Sequence, residues 1–435
     1  MKMVLCCFPW TGRNGTIHMF LSVIIFFQRL NKDMEFTIME KIVRQVTKDT
    51  SLFDYIDEKP FDQIKSELGA EPLNVKVNDK GNLYICKYSQ IDSDFNYKIV
   101  RQCRGIILEK GTNKLIACAF FKFFNVGEAL ADKVDFEHSS IQAKIDGSII
   151  RIFYYNGKWQ IATNGTIDAH DAETADLLTN KKYNFYDLFL DGLEEQGIIF
   201  SELTKKLTPE FTFIFEMVHP ISRVVVKYDK PKVYLIGIRN NKTMKEIDTF
   251  DEKNEQVRKI ISLGIERPKT FSFASLEDTV ATAQELGDDQ EGFVVRDKDF
   301  RRVKIKSRLY LQLHHLKGNG VLSRKRIWDV VCSQDFEILA YFPELEKVFE
   351  KPTELYKELH DKLFKYYENF KQIKIKFPIK KDFALMYVKN EPKEFSSFLF
   401  SLYDKKINNS EDINQSVKNI GENIWVKKEE PSKNI

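Results

Sequence analysis

The sequence has neither a cysteine pair with metal-binding spacing nor the histidine motif of a zinc enzyme. Its six cysteines include no C-x-x-C pair, and its seven histidines include no H-E-x-x-H segment. We therefore expect no zinc site. The scattered cysteines also suggest no disulfide framework, which is typical of reduced thiols in an intracellular protein. A cytoplasmic or nuclear location is the expectation from this pattern.

Long apolar runs are also absent. The apolar run at Met19–Phe27 has about nine residues, whereas a helix that spans a bilayer needs about 20. A signal peptide can have an apolar part of this length, but no A-x-A-like cleavage site follows. We interpret residues 1–33 as a non-structural extension, with an organelle-targeting segment as the alternative. No association with a membrane is expected.

The sequence has no strong excess of either charge, because 67 basic and 64 acidic residues leave a formal charge of +3. Local charge is more informative, since residues 298–326 contain ten Lys and Arg residues and one acidic residue. Such a cluster attracts phosphates, although a solvated surface is the alternative. With 435 residues, 43% of them hydrophobic, the chain can form one large or two medium packed domains.

The most informative stretch is residues 142–166, QAKIDGSIIRIFYYNGKWQIATNGT. It predicts a polar corner followed by a β-hairpin with an Asn-Gly turn. Lys144 could act as a nucleophile if nearby cations keep its amine neutral. Gly147 would let the backbone approach a nucleotide, and Asp146 could hold a metal-bound water or orient a group. Alone, the K-x-D-G pattern is more often a solvated turn.

Four further stretches add acidic and phosphate-binding side chains. Lys304 and Lys306 share one face of a predicted strand, because the side-chain period of a strand is two residues. An arginine can bind phosphate oxygens with two parallel hydrogen bonds. Together the stretches predict a phosphate pocket with carboxylates suited to a metal. They contain Glu216 after an apolar strand, Glu291 thirteen residues before Lys304, Arg104 in RQCRGIILE, and Lys122 and Asn125 in FFKFFNVGE.

Periodicity gives a coarse secondary structure for the rest of the chain. A hairpin signal at 79–81 opens a β-rich part, and the C-terminal part is helical. Helices are expected at 170–180, 183–196, 251–263 and 276–286, and then at 328–339, 354–371 and 381–402.

In this order, the blocks resemble the covalent nucleotidyltransferase superfamily of polynucleotide ligases and capping enzymes, most closely the RNA ligase 1 family of the bacteriophage type. The resemblance covers residues 84–317. It implies an α+β fold, in which an ATP-grasp-like ligase domain of antiparallel sheets with covering helices precedes a small all-helical domain. We place these domains at 34–320 and 321–420, with a tail at 421–435.

The resemblance implies an ATP-dependent RNA ligase. Lys144 would attack the α-phosphate of ATP, AMP would move to an RNA 5′-phosphate, and an RNA 3′-hydroxyl would displace AMP. Mg²⁺ is the expected ion, with Mn²⁺ as a substitute. The setting would be RNA or tRNA repair, in which a kinase or phosphatase could prepare the RNA ends. We expect a monomer.

The resemblance also assigns site residues. The catalytic residues would be Lys144, Asp146, Glu216, Glu291, Lys304 and Lys306. The nucleotide would also contact Tyr88, Arg104, Lys122 and Gly147. RNA would contact Asn164, Arg223 and Tyr310, and the metal would be held by Glu291 and Asp335. Asn164 departs from the family, which has a lysine there, so the charge expected at this position is missing.

Two alternatives remain open. A DNA ligase or a GTP-using capping enzyme would share the K-x-D-G chemistry, but the K-F-F-N block, the spacing from Glu291 to Lys304 and the absence of an OB-like β-domain after Lys306 argue against them. A catalytically silent protein that binds RNA ends is the second alternative. The intact Lys144 and Glu216 argue against this one.

Overall fold

The computed structural model describes residues 46–176, 181–317, 322–336 and 338–427. The N-terminal extension and residues 428–435 of the predicted tail lie outside these ranges. Within them, no helix combines the length and the apolar character needed to cross a membrane.

Most strands precede most helices along the chain. The strands are β1 (Val75–Lys80), β2 (Leu83–Tyr88), β3 (Arg104–Glu109), β4 (Leu115–Ala117), β5 (Phe124–Asn125), β6 (Ser139–Ala143), β7 (Ser148–Tyr155), β8 (Lys158–Thr163), β9 (Glu173–Ala175), β10 (Lys182–Asn184), β11 (Phe211–Val218), β12 (Lys232–Asn240), β13 (Glu246–Ile247), β14 (Thr270–Phe271), β15 (Gly292–Asp297) and β16 (Arg302–Lys306).

The α-helices are α1 (Leu52–Ile56), α2 (Phe61–Gly69), α3 (Lys98–Gln102), α4 (Phe185–Glu195), α5 (Phe200–Lys206), α6 (Glu255–Ile261), α7 (Leu276–Gln284), α8 (Arg308–Leu316), α9 (Arg324–Ser333), α10 (Ile338–Tyr341), α11 (Glu346–Lys376), α12 (Ser396–Tyr403) and α13 (Ser410–Gly421). Shorter turns of helix occur at Phe136–His138, Ala169–Asp171, Pro220–Ser222, Pro343–Leu345, Lys380–Asp382, Phe383–Tyr387, Val388–Asn390, Lys393–Phe395 and Glu422–Lys427.

Three sheets form the part of the fold that carries the candidate site. One has the order β1-β2-β3-β4, the second β13-β12-β11-β7-β8, and the third β14-β6-β15-β16-β5. All neighbouring strands in them are antiparallel except β16 and β5. The hairpin of β7 and β8 turns at Asn156 and Gly157, both with positive φ, as expected for an Asn-Gly hairpin turn. The α+β fold is confirmed.

A β-bulge at Gly105 interrupts the pairing of β2 with β3. Cys86 lies opposite Ile106 and Lys87 lies opposite Arg104, so Gly105 is the extra residue. Gly105 has a φ of +76°, and a Cβ atom there would lie 2.5 Å from the carbonyl oxygen of Asn164. Glycine is therefore required at this position, and the bulge sets the direction of Arg104.

The helical C-terminal part shares a hydrophobic core with the residues that precede it. Val225, Val226, Tyr310 and Leu313 are buried in the same cluster as residues of α9, α11, α12 and α13. Trp328 of α9, one of the largest side chains in this core, is 1% exposed. The division predicted at residue 320 therefore separates two stretches of chain that pack together.

Three helix predictions are wrong in detail. The helix predicted at 328–339 ends at Ser333, because Gln334 has a left-handed backbone conformation, and Ile338–Tyr341 is a separate helix. Within the described part of 170–180, the chain forms a short turn and then β9, which pairs with β10 and so satisfies its backbone groups in a ladder. The single helix predicted at 381–402 is interrupted between Phe383–Tyr387 and α12. Pro392 lies in this break, and proline has no N–H to continue a helix.

Candidate active site

A cavity of about 700 Å³ opens beside β6, β11 and β16 and brings most of the predicted site residues together. Among its lining residues are Tyr88, Arg104, Lys122, Lys144, Gly147, Asn164, Glu216, Lys304 and Lys306. Five predicted residues are not among them: Asp146, Arg223, Glu291, Tyr310 and Asp335.

Lys144 follows β6 and is fixed by the neighbouring strand. Its backbone N–H donates to the carbonyl oxygen of Gly292 at 2.8 Å. Its Nζ atom donates to Oε2 of Glu291 at 2.6 Å, while Nζ of Lys306 lies 3.1 Å from Oε1 of the same carboxylate. The Glu291 side chain is 3% exposed. Glu291 thus joins the candidate nucleophile to a lysine of β16.

The electrostatics of Lys144 differ from the expectation. Burial lowers the pKa of Lys144, but the negative charges of Glu291 and Glu216 raise it more, and the net pKa is above the ordinary value. This balance of charges does not support the expectation that nearby cations keep the amine neutral. Lys144 is an ammonium paired with Glu291, and it must lose a proton before it can act as a nucleophile.

Glu216 lies in the middle strand of its sheet, opposite Ile149 of β7. Burial raises the pKa of Glu216 to about 7, and the nearby Glu291 contributes, although Lys144 acts in the opposite direction. A carboxyl group with this pKa can take up or release a proton near neutral pH. Alternation alone would have placed this side chain on the surface, whereas it faces the cavity.

Lys304 and Lys306 both line the cavity, as the period of two predicts. Burial lowers the pKa of Lys304 to about 8, and the positive charges of Lys122, Lys306, Lys144 and Arg104 add to this effect. Clustered cations of this kind repel one another, and an anion bound among them would relieve the repulsion.

Arg104 and Lys122 provide the second part of this positive surface. The Nη1 atom of Arg104 is buried without a hydrogen-bond partner. Nζ of Lys122 lies 5.2 Å from the ring centre of Tyr88 and 4.5 Å from that of Phe95. A buried donor without an acceptor costs free energy. An anionic ligand bound beside Arg104 would supply the missing acceptor.

The side chain of Asp146 is hydrogen-bonded inside the protein. Its Oδ2 atom accepts hydrogen bonds from the N–H groups of Val225 and Val226, both at 2.8 Å, and its Oδ1 atom accepts one from the hydroxyl of Tyr310 at 2.8 Å. Burial raises the pKa of Asp146. Because both oxygens are engaged inside the protein, Asp146 holds the loop that carries Lys144 instead of facing a ligand.

Tyr310 and Arg223 do not have the exposed positions expected of RNA contacts. Tyr310 is 2% exposed and donates to Asp146. Arg223 forms an ion pair with Glu344 of the helical part, and its guanidinium lies 4.4 Å from the ring centre of Phe342. Both side chains are engaged in packing and tethering, so the structure does not support their expected contact with RNA.

The two predicted metal ligands, Glu291 and Asp335, have different surroundings. Glu291 is paired with Lys144 and Lys306, and Asp335 is an exposed residue after α9. In the described ranges, no group of three or more His, Cys, Asp and Glu side chains could hold a metal ion. These residues therefore do not form a complete protein site for Mg²⁺ or Mn²⁺.

One glycine of the cavity, Gly147, has a steric explanation. A Cβ atom on Gly147 would lie 2.3 Å from the carbonyl oxygen of Met217, so the glycine is needed for the close approach of β11. Asn164 lines the cavity and keeps a buried Oδ1 atom without a partner. Lys87 also lines the cavity, but it is not among the predicted site residues because it belongs to no motif in the sequence.

Residues 102–310 match the protein-family model described as RNA ligase, of the T4 RNA ligase 1 type. This match and the relatives described below confirm the predicted resemblance to RNA ligases.

Two relatives and one solved structure illustrate the similarity. A protein of Autographa californica nuclear polyhedrosis virus, provisionally named bifunctional polynucleotide kinase/RNA ligase, is 31% identical over 64% of this chain and 40% of its own length. The RNA ligase of Rhodothermus phage RM378 is 24% identical over 68% of this chain and 79% of its own. A structure of an archaeal ATP-dependent RNA ligase has a TM-score of 0.42 and 13% identity, over 71% of this chain and 82% of its own.

Proposed function

We propose that the protein is an ATP-dependent RNA ligase that joins 5′-phosphate and 3′-hydroxyl RNA ends. The observation that carries this proposal is the position of Lys144, which lines a cavity together with Arg104, Lys122, Lys304 and Lys306. A nucleophilic lysine surrounded by cations is suited to attack a phosphate of a highly charged nucleotide. The family of residues 102–310 supports the same conclusion.

In the first step, Nζ of Lys144 forms a bond to the α-phosphorus of ATP, and the bond from that phosphorus to the pyrophosphate oxygen breaks. Lys304 and Lys306 stabilise the charge on the α-phosphate, and Arg104 and Lys122 bind the leaving pyrophosphate. The Lys144 nitrogen loses two protons in all: the second leaves as the N–P bond forms and can pass to the departing pyrophosphate, and the first leaves the ammonium before the attack. Anionic phosphates that draw Lys306 away from Glu291 would free that carboxylate to receive it.

In the second step, an oxygen of the RNA 5′-phosphate bonds to the phosphorus of AMP, and the bond to Lys144 breaks. In the third step, an RNA 3′-hydroxyl attacks the 5′-phosphorus, and AMP leaves. Tyr88, Gly147 and Asn164 line the same cavity and are proposed to contact the nucleotide or the RNA end. Asp146 acts by holding the loop in position.

We propose Mg²⁺, with Mn²⁺ as a substitute, as the ion that accompanies ATP. The residues that the structure describes do not form a complete metal site, so the ion would enter with the phosphates and their water. We also propose an intracellular monomer that acts in RNA or tRNA repair. The relative from the nuclear polyhedrosis virus is named for a polynucleotide kinase as well as an RNA ligase, which supports the proposal that a kinase activity prepares the RNA ends for this reaction.

The test is an end-joining assay with purified protein, magnesium and either ATP or GTP. The substrates are single-stranded RNA and DNA of the same sequence, each with a 5′-phosphate or a 5′-hydroxyl. The proposal predicts joining of 5′-phosphorylated RNA with ATP, and loss of joining in Lys144→Ala but not in Lys158→Ala, which alters an exposed lysine outside the cavity. Joining of DNA alone, or joining with GTP alone, would contradict it.

A further inference from the structure

Three cations lie in one row across the first sheet. Lys76 of β1 is directly opposite Lys87 of β2, and Lys87 is directly opposite Arg104 of β3. Directly opposed side chains on antiparallel strands project from the same face, with Cβ atoms about 5 Å apart. We call Lys76, Lys87 and Arg104 the cation row. With strands about 4.8 Å apart, it extends roughly 10 Å.

The bulge at Gly105 creates the inner half of this row. In an uninterrupted ladder that pairs Cys86 with Ile106, Lys87 would face Gly105, and Arg104 would face Tyr88. The extra residue shifts the register so that Arg104 lies opposite Lys87. Bulges are frequent beside active sites, where they direct a side chain. The local backbone is thus arranged to bring two cations together, although like charges in directly opposed positions are destabilising.

The row lacks acidic partners, in contrast to Lys80 and Lys110 of the same sheet region. Nζ of Lys80 lies 2.7 Å from carboxylate oxygens of both Asp168 and Asp171, and Nζ of Lys110 lies 2.7 Å from Asp79. In the described part of the chain, neither Lys76 nor Lys87 has a carboxylate within ion-pair distance. Arg104 has the buried Nη1 atom without a partner. An anion from outside the chain would satisfy all three.

The row leads from the cavity to the surface. Arg104 and Lys87 line the cavity, whereas Lys76 is exposed and does not. Desolvation and the charge of Lys76 lower the pKa of Lys87, as expected for two neighbouring ammonium groups. A ligand with one compact group of phosphates would use the inner end alone. A polynucleotide has phosphates at regular intervals and can follow the row outward.

We propose that the cation row binds successive phosphates of the RNA strand whose 5′-phosphate enters the cavity, so that Lys87 and Lys76 are RNA-binding residues. The inference rests on the proposed ligase function. Arg104 contacts pyrophosphate in the first step and becomes available to the RNA 5′-end after pyrophosphate has left. Lys87 also supplies positive charge beside the Asn164 segment, since a Cβ atom on Gly165 would lie 3.0 Å from its Nζ atom.

The experiment separates two reactions of the full chain. One is formation of the protein–AMP adduct from ATP, and the other is single-turnover transfer of AMP from the isolated adduct to a short 5′-phosphorylated single-stranded RNA. Lys87→Ala is expected to slow the transfer about tenfold more than it slows adduct formation, because it removes a charge-assisted phosphate contact. Lys87→Arg should retain most of the transfer rate, and Lys158→Ala should behave as the unaltered protein in both reactions.

Salt dependence of RNA binding gives a second readout that a structural role would not change. For single strands, each neutralised phosphate contributes about 0.7 to the slope of log K against log salt. Lys76→Ala and Lys87→Ala should each lower the slope by about this amount, and Lys158→Ala should not. An unchanged slope and transfer rate in Lys87→Ala would overturn the inference, and an equal loss in both reactions would assign the row to ATP. Failure of the unaltered protein to form an adduct would instead contradict the ligase proposal, whereas the salt slope would still test the row.

Discussion

The hydroxyl of Tyr310 donates a hydrogen bond to Oδ1 of Asp146 at 2.8 Å, although 164 residues separate the two in the chain. Asp146 lies two residues after Lys144, and Tyr310 belongs to the core shared with the C-terminal helices. The other carboxylate oxygen of Asp146 binds the backbone of Val225 and Val226 in the same core. The loop that carries the proposed nucleophile is therefore anchored to the packing of the helical part.

This anchor predicts the effect of Tyr310→Phe. The variant keeps the ring in its buried position and removes one hydrogen bond to a carboxylate, which should lower the free energy of unfolding by about 1–3 kcal/mol. Protein–AMP formation should slow because the Lys144 loop is less well held. RNA affinity should not change, since the side chain is buried. Urea unfolding and adduct kinetics test the first two points, and a selective loss of RNA affinity would restore the original expectation for Tyr310.

The shared core also predicts the result of removing the helical part. A chain that ends after Lys317 exposes Val225, Val226, Tyr310 and Leu313, which are otherwise buried. We expect a lower melting temperature and slower protein–AMP formation. Glu344→Gln, which removes only the ion pair with Arg223, should show a much smaller effect in the same assays. A shortened chain that forms the adduct at the full rate would show that the anchor has no role in the first step.

The pKa of Lys304 predicts how adduct formation from ATP depends on pH in the alkaline range. Its pKa of about 8 means that it is positive below this pH and loses its charge above it. Since the α-phosphate needs this charge, kcat/KM for adduct formation from ATP should fall as the pH rises past about 8. Lys304→Arg keeps the charge and should move the fall to higher pH. The same alkaline limb in both proteins would assign it to another group.

Glu216 predicts a pH dependence of stability. Its pKa is raised to about 7 in the folded protein from an ordinary value of 4.5, so folding favours the protonated form. Ionisation therefore reduces the stability of the folded protein as the pH rises from about 4.5 to about 7. Glu216→Gln has no carboxyl group to ionise at this position. Its free energy of unfolding should therefore rise relative to that of the unaltered protein as the pH increases over this range. A difference between the two proteins that is independent of pH would contradict the assignment.

Local patterns in the sequence predict part of this structure well. Residues 142–166 indicate the β7–β8 hairpin, because an Asn-Gly pair between alternating segments has few other solutions. Lys304 and Lys306 reach the cavity together because the strand period requires a common face. The order of motifs also brings Lys144, Glu216 and Arg104 around one cavity.

Tertiary contacts explain what the sequence does not predict. Tyr310 and Arg223 stand close to motif residues in the chain, but their partners Asp146 and Glu344 are more than a hundred residues away. The charge state of Lys144 depends on which charged side chains lie nearest to it. The sequence pattern does not show that Glu291 is hydrogen-bonded to Lys144. Lys87 has no motif, and its position follows from the strand register at the Gly105 bulge.

The most direct measurement is incubation of the purified protein with magnesium and α-labelled ATP, followed by detection of label on the protein and mapping of the labelled residue. We predict label from ATP on Lys144 through a phosphoramide bond, none in Lys144→Ala, and an unchanged amount in Lys158→Ala. Release of the label by pyrophosphate would show that the adduct is reversible, as the first step requires. Label that persists in Lys144→Ala, or no label on the unaltered protein, would contradict the central claim.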